Sequence, residues 1–131
     1  MRDELILQDE YMAGSTWWTM GYLLPNEGEE KKNIADVLSM CYPLYTSGDL
    51  ISFSFNVDTK IFQMTFDENS SAKGKTIIYV PADRHYTNGF TVESTDSNGR
   101  WSWEWDEENN LVKLAADRSV NRHTITIKPK I

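Results

Sequence analysis

Regular alternation of apolar and polar residues in the second half of the chain is the feature that most restricts its fold. Within residues 50–57, every second side chain from Ile51 to Val57 is apolar. Residues 61–66 alternate in the same way and follow a short polar link. A period of two predicts strands with one buried face, and the short link predicts that these two strands form a β-hairpin.

Further short apolar runs follow the hairpin, each bounded by residues that favour turns. These runs are residues 75–80, 90–93, 101–105, 111–114 and 123–127. About seven short strands separated by frequent turn signals are typical of an antiparallel β-sandwich. We therefore expect a mainly β fold, a sandwich of Ig-like or accessory-domain type, over residues 42–131.

The first 41 residues have a different pattern. Residues 3–13 place apolar side chains near helical spacing, which predicts a short helix. Residues 15–24 form an almost unbroken apolar and aromatic run, typical of a strand that is buried on both faces, and residues 26–33 look like a polar loop. A helix followed by such a strand is typical of α/β architectures, so we expect two unequal parts.

Charge and hydropathy exclude several classes of protein. The chain has 13 Lys and Arg against 20 Asp and Glu, a net charge of −7, so its average field repels nucleic acid. No apolar run reaches the roughly 18 residues that a membrane-spanning helix needs. The early acidic residues Asp3 and Glu4 are unlike a signal peptide. We expect no nucleic-acid partner, and the sequence leaves the cellular location open.

A row of three tryptophans is the first candidate site. Trp101, Trp103 and Trp105 share one face of the predicted strand, since they recur with a period of two. They can form the inner wall of the sandwich or a platform on which sugar rings stack. The polar residues between them fill the opposite face, which favours the core interpretation without excluding the platform.

Trp17 and Trp18 are the second pair of candidates for carbohydrate binding. In an extended segment they point to opposite faces. If residues 1–41 have lost their packing partners, these and neighbouring side chains expose an apolar surface. Self-association through residues 1–41 is then expected.

No catalytic, metal or cofactor site is predicted. His85 and His123 are far apart in sequence and lack zinc-ligand spacing, and the single Cys41 is expected to be a small buried apolar residue. Adjacent acids at 9–10, 29–30 and 106–108 lie in polar contexts, which do not raise a carboxyl pKa as an acid catalyst requires.

Several segments together resemble the C-terminal β-sandwich of family 5 glycoside hydrolases, in the endoglycosylceramidase-like branch. The Tyr-Val-Pro strand end at 79–81 is the most distinctive of them. The segments that carry the resemblance are residues 42–43, 52–55, 62–66, 76–81, 86–90 and 123–127.

This resemblance implies that residues 1–41 are a remnant of the last helix and strand of an α/β barrel. Trp17 or Trp18 would then lie near the sugar-stacking tryptophan of the family. Both catalytic glutamates would precede Met1, so the chain would be a fragment whose partner is the catalytic barrel. The parent enzyme, secreted or at a membrane surface, would cleave β-glycosidic bonds of glycolipids or oligosaccharides.

Three functions therefore follow from the sequence. The preferred one is a non-catalytic accessory domain of such an enzyme, in contact with its barrel and with carbohydrate or glycolipid. The first alternative is a stand-alone carbohydrate-binding module that uses the aromatic platform. The second is a plain interaction domain whose tryptophan row is entirely internal.

Overall fold

Most of the chain after residue 41 forms two four-stranded antiparallel sheets that pack face to face. The structure is a computed structural model, and it describes residues 2–13 and 30–131. Three short helices accompany the eight strands in this described part. The helices are α1 (Arg2–Tyr11), α2 (Lys32–Leu38) and α3 (Ala82–His85). The strands are β1 (Tyr42–Tyr45), β2 (Gly48–Asn56), β3 (Ile61–Glu68), β4 (Thr76–Tyr79), β5 (Phe90–Ser94), β6 (Ser102–Asp106), β7 (Leu111–Ala115) and β8 (Arg122–Pro129).

Each sheet combines strands that are neighbours in the sequence with strands that are distant in it. The first sheet has the order β1-β4-β7-β6, and the second has the order β2-β3-β8-β5. Strands β6 and β5 are therefore edge strands, one in each sheet, and β1 and β2 are the opposite edges. The prediction of a mainly β antiparallel sandwich preceded by a short helix is confirmed.

The core lies between the inner faces of the two sheets. In β3, Phe62, Met64 and Phe66 are fully buried, as the period of two predicts. Phe62 pairs with Ile127 and Met64 with Ile125 on the neighbouring β8, and these isoleucines are also fully buried. Directly opposite residues point to the same face, so the two central strands of the second sheet supply one continuous apolar surface.

The prediction for β2 is wrong at one end. A bulge between Leu50 and Ser52 shifts the register, so that Leu50 packs against the core and Ile51 is 45% exposed. An extra residue at a bulge reverses the faces of the residues before it. Downstream of the bulge, Phe53 and Phe55 lie on the inner side, as expected.

Three elements were not predicted. Strand β1 has a proline and a bulge, and helices α2 and α3 are short. Residues 32 and 33, assigned to a polar loop, lie in α2. The predicted strand at 15–24, with Trp17 and Trp18, lies outside the described residues.

Helix α1 is attached to the exposed edge of the second sheet. The carboxylate of Asp9 accepts a hydrogen bond from the backbone N–H of Phe55 in β2 at 3.1 Å. Phe55 is on an edge strand, where outward N–H groups lack a neighbouring strand. The side chain of Asp9 therefore accepts from a backbone N–H of β2 that the pairing of β2 with β3 does not use. Across the described residues, no helix has both the length and the apolar character needed to span a membrane.

Candidate functional site

The side of the sandwich between β5 and β6 is closed by a cluster of aromatic rings. Phe90 of β5 lies with its ring centroid 5.0 Å from that of Trp105 and 6.0 Å from that of Trp103 in β6. Tyr86, which precedes β5, lies 5.4 Å from Phe90. These contacts bring together the edge strands of the two sheets, and among the described strands none pairs with the outer side of β5 or β6.

The register of β6 sets the direction of its indoles. Trp103 pairs with Leu114 and Trp105 with Val112, and both partners are fully buried inward residues of β7. Both tryptophans therefore belong to the inner face of the first sheet. Because β6 is an edge strand, Trp103 is nevertheless 39% exposed.

The three predicted tryptophans do not share one environment. Trp105 is half-buried against the core and also lines a groove that Trp103 borders. Trp101 is half-buried against the core and is absent from the described lining of that groove. The intervening acid Glu104 pairs with Lys113 on the outer face and forms an ion pair with Lys75 at 3.0 Å.

The groove has a volume of about 470 Å³, an aromatic wall and a polar rim. Its wall is formed by the four rings described above. Its polar rim consists of Asp83, Thr87, Glu107 and Lys130. All four rim residues are exposed. An apolar wall with a few converging polar groups is the usual composition of a small-molecule site.

Backbone and side-chain hydrogen bonds fix the floor of the groove. The Tyr86 hydroxyl is buried and donates to the carbonyl of Lys60 at 2.9 Å, and burial raises the pKa of this phenol. The N–H of Gly89 donates to the Tyr86 carbonyl at 2.7 Å, and the N–H of Lys130 donates to the Gly89 carbonyl at 3.0 Å. Gly89 has a φ of +85°, which favours glycine.

Cys41 lies beneath this floor. Its thiol is fully buried, as predicted, and is 3.5 Å from the Tyr86 hydroxyl. Burial raises the pKa of the thiol to about 12. A thiol in this environment stays protonated at neutral pH and is a poor nucleophile.

A buried His–Asp pair lies elsewhere in the sandwich. Nδ1 of His123 is 2.7 Å from Oδ1 of Asp96, and both side chains are fully buried. The other Asp96 oxygen accepts from the backbone N–H of Asp117 at 2.9 Å. Nε2 of His123 makes no hydrogen bond within the described chain and lies 3.8 Å from a carboxylate oxygen of Glu68. This pair resembles part of a catalytic triad but has no accessible nitrogen to offer a substrate.

The second histidine connects helices. Nε2 of His85 hydrogen-bonds to the carbonyl of Ser39, and the imidazole packs 5.0 Å from the ring of Phe55. Burial lowers the pKa of His85. Arg84 beside it binds Asp36 at 3.0 Å and Glu30 at 2.8 Å. These contacts fasten α3 to α2 and the residues around it.

A pocket of about 320 Å³ between α1, α2 and β2 contains the carboxylates of Asp3, Asp9 and Asp58. Only Asp9 is buried, at 6% exposure, and burial raises the pKa of its carboxyl group. Asp3 and Asp58 are exposed. Within the described ranges, no group of three or more His, Cys, Asp or Glu side chains is placed to hold a metal ion.

Sequence reasoning did not identify the polar rim of the groove. Its residues come from α3, the loop after it, the β6–β7 turn and the C-terminal end. Sequence patterns report periodicity within a strand, and nothing in them shows that these four segments converge. The nearest signal in the sequence is the Asn88-Gly89 pair, which favours a turn directly before β5.

Comparisons with known proteins identify the fold and its family. Residues 41–128 match the glycoside hydrolase family 5 C-terminal domain. An endoglycoceramidase from Hydra vulgaris is 34% identical over 71 residues, which are 53% of this chain and 14% of that protein. The chain therefore spans a small part of this relative.

Solved structures agree with this match in fold. Endo-glycoceramidase II from Rhodococcus sp., in its complex with a five-membered iminocyclitol, superposes with a TM-score of 0.78 at 20% identity, over 99% of this chain and 29% of that one. The complex of the same enzyme with ganglioside GM3 gives a TM-score of 0.76 at 21% identity, over 99% and 29%. Sterylglucosidase 1 from Cryptococcus neoformans gives 0.61 at 15% identity, over 80% and 15%.

The family match covers more than half of the chain, from the residue before β1 almost to the end of β8. The resemblance inferred from the sequence is confirmed. The chain belongs to the glycoside hydrolase family 5 C-terminal domain family.

Proposed function

We propose that this chain is a non-catalytic accessory domain of a longer family 5 glycoside hydrolase that cleaves β-glycosidic bonds of glycolipids or oligosaccharides. The observation that carries this proposal is the family match over residues 41–128, which takes in nearly the whole sandwich. The names of the Hydra and Rhodococcus relatives, both endoglycoceramidases, support glycolipid as the substrate class of the parent.

The chemistry of the described residues supports a non-catalytic role. Retaining glycosidases use two carboxyl groups about 5–5.5 Å apart, of which one is held protonated by its surroundings. In the pocket beside α1, Asp9 is the one buried carboxylate, and one of its oxygens is already used by the N–H of Phe55. Its neighbours in that pocket are exposed, so they lack the desolvation that such a pair requires.

The contacts of the N-terminal helices support the barrel as the partner. In our proposal, residues 1–41, which include α1, are the remnant of the last helix and strand of an α/β barrel. Asp9 connects α1 to β2, while Asp36 and Ser39 connect the α2 region to Arg84 and His85. These contacts would then be the junction between barrel and sandwich, and the accessory domain would stabilise the end of the barrel.

Hydrolysis of a fluorogenic β-lactoside tests the non-catalytic role. The purified 131-residue chain is expected to release no fluorophore above the buffer blank, with the Rhodococcus endo-glycoceramidase II as positive control. An Asp9→Asn variant is assayed beside it, because a contaminating glycosidase would not respond to this change. Hydrolysis by the chain that disappears in Asp9→Asn would overturn the proposal.

The sequence of the gene upstream of Met1 tests the relation to a parent enzyme. We expect an open frame of a length that suits a barrel, about 250 residues or more, with alternating strand and helix periodicity. Two glutamates should follow the fourth and seventh predicted strands. A stop codon directly upstream, followed by a chain that is expressed and folded alone, would contradict this part of the proposal.

A further inference from the structure

We propose that the groove between β5 and β6 binds a neutral hexopyranose unit, which stacks on Trp103 and hydrogen-bonds to the polar rim. The ligand class is a β-linked hexopyranoside, either as a free oligosaccharide or as the headgroup of a glycolipid. Binding at this groove is independent of bond cleavage by a parent enzyme, so the two proposals can fail separately.

Trp103 has the exposure and support of a stacking platform. It belongs to the inner face of its sheet and yet is 39% exposed, because β6 is an edge strand in the part of the chain that the structure describes. Phe90 packs against it and contacts Trp105 edge-on at an interplanar angle of 81°. A ring held in this way loses little conformational entropy on binding. One face of a hexopyranose presents C–H groups, and stacking buries that apolar face against the indole.

The rim supplies hydrogen-bonding groups with no competing partner. Within the described chain, the side chains of Asp83, Glu107 and Lys130 make no ion pair or hydrogen bond. The acids on the opposite face of β6 differ: Asp106 binds Lys113 at 2.8 Å, and Glu104 binds Lys75. The acids at the groove are therefore free to accept hydrogen bonds from sugar hydroxyls, and the ammonium of Lys130 is free to donate.

The charges of the rim favour a neutral ligand. Two carboxylates and one ammonium group give the groove a local excess of negative charge, in a chain whose net charge is −7. An anionic sugar would meet like charge from both sources. The volume of about 470 Å³ lies within the range of small-molecule sites, roughly 300–1,000 Å³.

Calorimetric titration of the full 131-residue chain with methyl β-lactoside tests the platform. We expect saturable binding that Trp103→Ala weakens at least about tenfold, a change of about 1.4 kcal/mol. Tyr42→Ala is the matched control, since Tyr42 is 40% exposed on the opposite edge strand and should leave the Kd unchanged. Trp103→Phe keeps an aromatic face and should retain part of the affinity, and circular dichroism establishes that each variant is folded.

The rim is tested by isosteric changes that keep the fold. Asp83→Asn and Glu107→Gln should each raise the Kd several-fold, because a neutral amide accepts a weaker hydrogen bond than a carboxylate. Glu108→Gln is the control, as Glu108 is an exposed acid next to Glu107 but outside the groove lining. An equal rise of the Kd in Glu107→Gln and Glu108→Gln, or no rise in either, would overturn the role of the rim.

Two further arms distinguish the ligand source and the charge preference. Binding of the chain is measured with phosphatidylcholine vesicles that contain a lactosyl lipid, with plain phosphatidylcholine vesicles and with the soluble lactoside. Weaker binding of Trp103→Ala than of the wild type, to the lactosyl vesicles or to the soluble lactoside, supports the site. Sialyllactose should bind more weakly than lactose. The proposal is overturned if the wild-type chain binds neither form of the lactoside, or if Trp103→Ala binds both as well as the wild type.

Discussion

Asp9 and Phe55 are 46 positions apart in sequence, and the carboxylate of the first accepts a hydrogen bond from the backbone N–H of the second at 3.1 Å. Through this bond, α1 covers the open edge of β2. An exposed edge strand is a site for unwanted strand addition, so the helix also protects the sandwich from edge-to-edge association.

Asp9→Asn is expected to raise the free energy of unfolding at pH 7. Burial raises the pKa of Asp9 in the folded chain, so folding favours the protonated form of this carboxyl group. The wild-type chain therefore loses stability as the pH rises from the pKa of the unfolded chain through the pKa of the folded chain. The charge also lies near the C-terminal end of α1, where the helix dipole disfavours an anion. Urea denaturation at pH 7 and at about pH 3 should show the gain at the higher pH only.

Asp9→Ala separates the charge from the hydrogen bond. The amide oxygen of asparagine can still accept from the N–H of Phe55, whereas alanine cannot. We expect Asp9→Asn to be more stable than Asp9→Ala by about 1 kcal/mol, with faster hydrogen exchange at the Phe55 amide in the alanine variant. A wild type more stable than Asp9→Asn at pH 7 would contradict this account.

The alternation of β3 predicts opposite outcomes for two adjacent residues. Phe62 is fully buried and pairs with Ile127, so Phe62→Ala should lower the free energy of unfolding by about 3–5 kcal/mol. Ile61 is 40% exposed, and Ile61→Ala should cost less than about 1 kcal/mol. Urea denaturation measures the free energy of unfolding of both variants. Similar losses of stability in the two variants would contradict the burial of Phe62 and the exposure of Ile61 in β3.

Asp117 should make the chain sensitive to acid. Its carboxylate accepts from the hydroxyl of Ser119 at 2.6 Å and from the backbone N–H of Ser119 at 3.0 Å, and these bonds lower the pKa of the carboxyl group. This stabilisation is present above the unfolded pKa and is lost as the pH falls through the folded one. Asp117→Asn should therefore be less stable than wild type at pH 7, and the difference should shrink below about pH 4. Glu108→Gln is the control, and a difference that persists in acid would contradict the assignment.

Self-association through residues 1–41 can be measured by sedimentation. On α1, Ile6 is 63% exposed and Tyr11 is 73% exposed. We expect the chain to dimerise as its concentration rises, and the double change Ile6→Ser with Tyr11→Ser to raise the dimer Kd by about tenfold or more. Leu44→Ser is the control, since Leu44 is 53% exposed on β1. A chain that stays monomeric at all concentrations, or a dimer weakened equally by Leu44→Ser, would exclude this surface.

Much of the sandwich could be predicted because its strands bury one face. Phe62, Met64 and Phe66 fell on the predicted side, since nothing interrupts the pleat of β3. The same pattern failed at Ile51, because a bulge inserts a residue without leaving a mark in the sequence. Local periodicity is read correctly only where the register is continuous.

The candidate groove could be predicted only in part. Trp103 and Trp105 were found from their spacing, because they lie on one strand. Trp101 lies just before β6 and outside the groove lining. The exposure of Trp103 depends on the position of β6 at the edge of its sheet, which is set by the strand order and not by the local sequence. The convergence of Asp83 and Lys130 depends on pairing between distant segments, which a single sequence does not reveal.

The buried thiol of Cys41 can serve as a natural probe of local unfolding around it. It is the single thiol in the sequence, it is fully buried, and its pKa of about 12 keeps it inert in the closed sandwich. A thiol-specific alkylating reagent can therefore reach Cys41 only when the packing around Cys41 and Tyr86 opens. The rate of labelling then measures how often that opening occurs, without any introduced probe.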